Sequence, residues 1–361
     1  MILAQKYKIK SVVSFTENLE LLRPYTIAYE TFDSVENIFV KLELGDGTVG
    51  FGAGSPSDFV TGETLESAQT ALAHVEGFLL GKDIRKIAGL IREMEIIFPN
   101  NPSVRAAVDI ALHDAFAKRL GLPLIDIWGR AHQQLPTSIT IGIKSLEDSI
   151  LEAKEYKERG FKAIKLKTGK SVEEDIEIFS KIRETVGVDI TIRVDANQGY
   201  SVRDTLQFYE ATKVLDLELI EQPLDKANVA LMQELPTEIR QKCMADENLL
   251  SPKQALLLTN LPLPFGLFNI KLMKCGGLQA GKQIADIAHL ADIKLMWGCM
   301  DESIISITAA LHVALASPAT RYLDLDGSLD LAKDMVAGGF ILENGYMRTN
   351  EAAGLGVQAL F

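Results

Sequence analysis

The stretch Ala163-Ile164-Lys165-Leu166-Lys167 decides the fold: it is a short apolar run that ends in residues able to do chemistry. Six runs of the same kind follow, namely Ile192-Arg193-Val194-Asp195, Leu219-Ile220-Glu221, Cys243-Met244-Ala245-Asp246, Phe268-Asn269-Ile270-Lys271, Leu295-Met296-Trp297-Gly298-Cys299 and Tyr322-Leu323-Asp324-Leu325-Asp326. From Lys167 the steps to Asp195, Glu221, Asp246, Lys271, Cys299 and Asp324 are 28, 26, 25, 25, 28 and 25 positions, and Thr140 lies 25 before Lys165. A strand, a helix of ordinary length and two short loops fill about that many residues. The period predicts strand-helix repeats closing into a parallel barrel, and the strand ends of such a barrel converge on one face where an active site sits.

The segments on either side do not share this rhythm. Upstream, β-branched and apolar runs at 8 to 16, 36 to 44 and 48 to 53 surround a Gly45-Asp46-Gly47 turn, and helical patterns follow at 63 to 80, 83 to 98 and 102 to 120, the last with Asn101 as cap and Pro102 in its first turn. The helical pattern breaks near 130, at Gly129-Arg130-Ala131-His132. The barrel repeat starts at Ser138-Ile139-Thr140-Ile141, with helix starts at Ser145, Ser171 (with Glu174 as a capping box) and Ser251, and stops at Gly160 and Gly187. The fold class read is α/β: a (β/α)7β-type TIM barrel over residues 131–330, an N-terminal α+β capping domain over 1–130, and a 331–361 segment returning to the cap.

Composition bounds the partners. A formal charge of −12 and a pI near 5.0 argue against a nucleic acid or an anionic membrane, and no basic patch offsets them. Three cysteines with no CxxC suggest neither a disulfide framework nor a zinc site, and the first residues lack an apolar leader core, so a cytoplasmic protein is expected. The apolar stretch from Ile304 to Ala316 is too short to span a bilayer and reads as a buried helix.

Asp195, Glu221 and Asp246 end three consecutive strands, and three carboxylates brought together need a cation between them. With oxygen ligands only, Mg²⁺ is the first choice, one per subunit, and Mn²⁺ the second. Lys165 and Lys167 share one face of their strand, and Lys271 ends the strand opposite. Two lysines facing each other across such a site suggest acid/base groups on the two faces of a planar intermediate; burial, the metal and the neighbouring Lys165 are expected to lower their pKa towards roughly 7 to 8. None of the five histidines ends a predicted strand, which disfavours histidine chemistry.

The set Lys165-x-Lys167, Asp195-Ala196-Asn197, Glu221-Gln222-Pro223, Asp246-Glu247 and Lys271 resembles the enolase superfamily, muconate-lactonising-enzyme subgroup, over nearly the whole chain. Within it, Asp324-Leu325-Asp326 and Cys299-Met300-Asp301-Glu302-Ser303 look like the dipeptide epimerases. The resemblance implies an isomerase that moves the α-proton of a dipeptide's C-terminal residue between Lys167 and Lys271, beside Lys165, with Asp195, Glu221 and Asp246 on the metal. Thr140, Cys299, Asp301, Asp324 and Asp326 are then substrate-binding candidates, and Asn197, Glu247 and Glu302 stand behind them in support. Two acids at the last strand would pair with a substrate ammonium.

Specificity is expected from two lid loops, Pro24 to Glu30 and Ser55 to Gly62. Glu30 stands where family members acting on Ala-Glu are expected to carry a basic residue, and an acid there would repel a glutamate side chain. The leading expectation is an Ala-Xaa dipeptide with a hydrophobic Xaa; a cationic residue paired with Glu30 is the runner-up. A cycloisomerase or o-succinylbenzoate synthase on the same scaffold is the enzymatic alternative, a Schiff-base aldolase using Lys271 a weaker one, and a dipeptide-binding protein without turnover the alternative of another class. A homo-oligomer is compatible with the sequence.

Overall fold

The computed structural model describes residues 5–26 and 31–360. Its N-terminal part is an antiparallel sheet of β1 (Ile9–Thr26), β2 (Thr31–Leu44) and β3 (Val49–Gly54), backed by helices α1 (Leu65–Leu79), α2 (Ile87–Ile97) and α3 (Pro102–Leu120). The β1–β2 ladder runs from Ile9 opposite Leu44 to Thr26 opposite Thr31, well beyond the strand expected at 8 to 16. Asn18 and Glu20 hide the extension from a hydrophobic pattern; Leu19 between them is fully buried. The far end of the hairpin leaves the cap and rests on the barrel, where Leu22 N–H donates to Asp330 O (2.7 Å) and Ala332 N–H to Glu20 O (2.8 Å).

Alternate glycines on β3 let α3 approach closely. A Cβ at Gly52 would stand 1.8 Å from Ala107 O, so this strand packs on helix backbone and α3 is buried around most of its circumference. Pro102 opens α3 as predicted, but the Asn101 side chain makes no capping bond. Glu63, a carboxylate from the loop between β3 and α1, accepts from Ser103 N–H at 2.8 Å instead.

The repeat forms an eight-stranded parallel sheet in sequential order: β4 (Ser138–Ile141), β5 (Ala163–Lys167), β6 (Thr191–Asp195), β7 (Leu217–Glu221), β8 (Cys243–Ala245), β9 (Leu267–Ile270), β10 (Lys294–Gly298) and β11 (Thr320–Asp324). Helices α4 (Leu146–Glu158), α5 (Val172–Val186), α6 (Val202–Thr212), α7 (Pro252–Leu258), α8 (Leu278–Leu290) and α9 (Ile304–Ala316) alternate with them. Ser145, Ser171 and Ser251 accept the expected backbone N–H groups; the reciprocal capping box, however, is Ser201 with Asp204 at the start of α6. A Thr137–Leu323 bridge brings the last strand to the first.

Register levels the chemical residues: Lys167 pairs with Asp195, and Asp195 with Glu221. Cap and barrel touch through Asn37 Oδ1, which accepts from Ser303 N–H at 3.0 Å, and Ser55 Oγ, which donates to Asp301 O at 3.3 Å. The C-terminal segment supplies β12 (Val336–Gly338), β13 (Phe340–Glu343), β14 (Tyr346–Thr349) and β15 (Val357–Ala359), and Gly354 and Leu355 bond to Leu124 and Asp114 of the cap side. Helix α9 is almost wholly buried, and among the described residues no helix is long and apolar enough to cross a membrane.

Candidate active site

Lys165 Nζ is the centre of the strand-end cluster. It lies 3.2 Å from Asp195 Oδ2, 3.1 Å from Glu221 Oε2 and 2.6 Å from Asp324 Oδ2. Lys167 Nζ donates to Asp195 Oδ2 (2.7 Å) and Asn197 Oδ1 (2.9 Å). From the sixth strand of the eight, Lys271 Nζ reaches Asp246 Oδ2 at 3.0 Å. The expectation that Lys167 and Lys271 come from opposite sides of the sheet follows directly from the strand order. Asp195 and Glu221 are fully buried beneath the lysines.

Three contributors escaped the sequence reading. Asn269 Nδ2 donates to Glu221 Oε1 at 2.6 Å, and Gly298 leaves room for that amide, since a Cβ there would stand 2.5 Å from Asn269 Oδ1. Lys274 Nζ binds the Asp246 carboxylate together with Asp246 O (2.7 Å) and Asn269 O (3.2 Å). Ser138 Oγ donates to Asp324 Oδ1 at 2.6 Å. The signals were there: Asn269 lies two positions before Lys271 on one strand face, Ser138 two before Thr140, and Lys274 one helical turn past Lys271.

Burial opposes charge on every one of these groups, and the neighbours decide the outcome. Against burial, Lys167 and Lys165 hold Asp195 down at about 2, and Lys271 and Lys274 depress Asp246 further. Burial and Asp195 raise Glu221 to about 7; burial and Asp246 do the same to Glu247. For the protein's own charges alone, the lysine shift runs opposite to the expectation, which counts a metal as well. Burial does work to lower Lys271, but Asp246 and Glu221 outweigh it and raise its pKa; Lys165 is raised likewise, chiefly by Asp324. Among the protein's own charges, carboxylates dominate.

Above the cluster opens a cavity of about 440 Å³, lined by Lys165, Lys167, Lys271, Thr140 and Cys299, and closed from the cap side by the loop from Ser55 to Val60. Asp324, Asp326, Asp301 and Asp330 line it as well, with Asp246, Glu247, Glu36, Asp58 and Glu63. Asp326 accepts from Thr140 N–H at 2.7 Å and has no ion-pair partner among the described residues; neither has Asp301. Burial, then Asp324 and Asp330, raise Asp326 to about 7, and burial with Asp330 raises Asp301 to about 7. Cys299 Sγ donates to Asp324 O and accepts from Gly327 N–H. Glu302 turns back to accept from Met300 N–H (3.1 Å) and does not line the cavity. Glu30 lies outside the described residues. Among the described residues no three acidic, histidine or cysteine side chains share one coordination centre; ammonium groups stand between the strand-end carboxylates.

Residues 9–129 match the mandelate racemase/muconate lactonizing enzyme N-terminal domain, and 148–359 the enolase C-terminal domain-like family. An L-Lys-D/L-Arg epimerase of Desulforapulum autotrophicum is 54% identical over 354 residues, covering 98% of this chain and 100% of the relative. A hydrophobic dipeptide epimerase of Enterococcus faecalis is 35% identical over 97% of this chain and 99% of the relative. The crystal structure of a dipeptide epimerase from Methylococcus capsulatus complexed with Mg and the dipeptide L-Arg-D-Lys superposes with a TM-score of 0.95 at 49% identity, covering 97% of this chain and 99% of that one. This chain, with its capping sheet and lysine-carboxylate barrel, therefore belongs to the dipeptide epimerases of the enolase superfamily, which are isomerases.

Proposed function

We propose that the chain epimerises dipeptides carrying cationic side chains, by proton transfer at the α-carbon of the C-terminal residue. The observation that carries this is the cavity wall: among the described residues it presents nine carboxyl side chains against three lysines, and Asp301 and Asp326 make no ion pair there. Such a lining attracts cations and leaves acids unpaired for an uncharged substrate. The resemblance to epimerases named for Lys and Arg supports the same reading. Val35, Phe59, Val60 and Leu65 line the cavity too, and this apolar side favours, as the second reading, the Ala-hydrophobic dipeptides first expected.

Asp195, Glu221 and Asp246 would hold a divalent cation. They fit one: the donors are all oxygen, and buried Glu221 Oε2 accepts no hydrogen bond although Lys165 Nζ lies 3.1 Å away. Bound there, Mg²⁺ supplies Lewis-acid stabilisation of the substrate carboxylate as negative charge builds up on it. The chain's own residues do the rest. Lys167 and Lys271, from opposite sides of the barrel, take the α-proton from one face and return it on the other. Asp324 and Asp326 hold the substrate ammonium, Lys165 balances the carboxylates beneath, and the loop from Ser55 to Val60 borders the cavity from the cap side. The working division of labour is cap 1–130 for specificity, barrel 131–330 for chemistry and 331–361 as the tie between them.

A pooled dipeptide library incubated with the protein and Mg²⁺ in heavy water tests this. One deuterium gained at the C-terminal α-carbon of Lys- and Arg-containing dipeptides, abolished by EDTA, is expected. Labelling confined to Ala-hydrophobic dipeptides would favour the second reading, and no labelling would overturn both.

A further inference from the structure

Asp324 sits at the seam where the last barrel strand meets the first, and there the described backbone pairing is one bridge, Thr137–Leu323, to which side chains add Leu325 N–H to Thr137 Oγ1 (2.9 Å) and Thr140 N–H to Asp326 Oδ2 (2.7 Å). Side chains do the positioning. Ser138 Oγ lies 2.6 Å from Asp324 Oδ1 and 3.3 Å from Leu323 O, so its one proton has two acceptors within reach.

Arg193 resolves that choice. Its guanidinium is buried, and Nη1 stands 2.8 Å from Leu323 O and 3.3 Å from Ser138 Oγ. A guanidinium only donates, so Ser138 must accept from it through an oxygen lone pair and keeps its own proton for another partner. Arg193 already serves the Leu323 carbonyl, and the carboxylate is the nearer and charged acceptor, which makes the stronger bond. The arginine is itself fixed: Nε donates to Glu218 Oε2 at 2.5 Å, and the guanidinium lies 4.9 Å from the centroid of the Tyr322 ring. With Lys165 on the other oxygen at 2.6 Å, the plane of the Asp324 carboxylate is set from both sides.

We infer that Ser138, its hydroxyl oriented by Arg193, is a positioning residue that aims Asp324 at the ammonium group of the substrate. The inference rests on the proposed assignment of Asp324 to that ammonium. The Ser138 hydroxyl bonds to Asp324 and not to Asp195, Glu221, Asp246, Lys167 or Lys271, so its effect should fall on binding.

The test compares wild type, Ser138→Ala and Ser138→Thr in kcat and KM for L-Lys-L-Arg, with the Kd for Mn²⁺ measured by direct titration on the same preparations. Ser138→Ala is expected to raise KM about tenfold, the usual scale for losing a hydrogen bond to a charged group, while kcat and the Mn²⁺ Kd stay within about twofold. Ser138→Thr, which keeps the hydroxyl, should bring KM back to within about threefold of wild type. An unchanged KM in Ser138→Ala overturns the inference. So does a joint loss of kcat and Mn²⁺ affinity, which would mark general distortion, or a Ser138→Thr variant that is folded and metal-competent yet no better than Ser138→Ala. Should Ser138→Ala fail to fold, Arg193→Lys, which retains a donor without the fork, takes its place and must show a raised KM with unchanged kcat. Wild type that turns over no dipeptide overturns the functional reading itself, a result distinct from wild-type turnover with an indifferent serine.

Discussion

Arg23 grips Glu155 with two parallel hydrogen bonds, Nη1 to Oε2 at 3.0 Å and Nη2 to Oε1 at 3.1 Å, tying the cap hairpin to the first helix of the barrel. The pair is exposed, 58% and 37%, so its contribution to stability is under about 1 kcal/mol. Its position matters more, because it lies beside the backbone bonds that bring the hairpin to Asp330 on the cavity wall. Arg23→Ala should leave the melting temperature nearly unchanged while raising KM about two- to fivefold. Parallel melts and steady-state kinetics decide it; a large fall in melting temperature would show that the contact is structural.

Lys274 is the buried counter-charge of Asp246. Lys274→Met leaves that carboxylate leaning on Lys271 alone, and losing one partner of a buried pair costs roughly 3–5 kcal/mol. A divalent cation held by Asp246 would supply the missing positive charge. The variant should therefore be strongly destabilised in EDTA and regain more melting temperature with Mg²⁺ than wild type does. An equal Mg²⁺ shift in both proteins would mean that Asp246 does not meet the ion.

Asp301 and Asp326 are raised to about 7, first by burial and then by neighbouring acids. The sign of the pH effect follows. A cationic substrate binds their ionised forms, present above pH 7; below it a proton must leave first, so KM for L-Lys-L-Arg should rise as pH falls, by up to about tenfold per unit for each carboxylate engaged. Asp301→Asn should raise KM at pH 8 and flatten the profile. A KM for the cationic dipeptide that is level from pH 8 to 5.5 would rule out both acids as its partners.

The strand-end acids and lysines were legible because each terminates an apolar run, and a fixed period places such ends at one level. What supports them shows in the sequence only as a position along a strand or helix, not as a partnership. Ser138 meets Asp324 across 186 residues and Arg193 meets Leu323 across 130, so no local pattern joins them; only barrel closure does. Asn101 has the composition of a helix cap, yet Glu63 wins the N–H groups because tertiary packing delivers a carboxylate to the helix start. The long hairpin was hidden for a related reason: its polar residues face away from the core, and its length is set by contact with the barrel rather than by its own pattern. The lysine expectation counts burial, a metal and Lys165 but leaves out the carboxylates, whose density decides among the protein's own charges.

His312 offers a stability test away from the site. It is fully buried, its Nδ1 accepts from Ile125 N–H at 2.9 Å, and burial followed by Arg130 lowers its pKa to about 3. The unfolded chain takes up a proton near pH 6.5 and the folded one does not, so between about 6.5 and 3 stability falls as pH falls, by about 1.4 kcal/mol per unit from this group. Urea unfolding in that window should show the slope, and His312→Asn, whose side-chain oxygen can still accept from Ile125, should reduce it. An identical slope in the variant would place the acid sensitivity elsewhere.

Opposed lysines make a stereochemical demand that a single base does not. If Lys167 serves one face of the α-carbon and Lys271 the other, removing either blocks epimerisation, which needs both, yet leaves one base able to exchange the proton of one configuration. Lys167→Ala and Lys271→Ala should each lower epimerisation by roughly 10²- to 10⁴-fold, the usual worth of a positioned acid or base. In heavy water each variant should still exchange the α-proton of one C-terminal configuration, and the two should differ in which. Proton NMR of the L,L and L,D dipeptides reads this directly. Loss of exchange for both configurations in one variant, with the other unaffected, would assign all the proton transfer to a single lysine and reduce its opposite number to an electrostatic role. Lys271 is already held by Asp246 at 3.0 Å and Lys167 by Asp195 at 2.7 Å, so each ammonium has a fixed carboxylate beside it and neither has to be recruited from elsewhere.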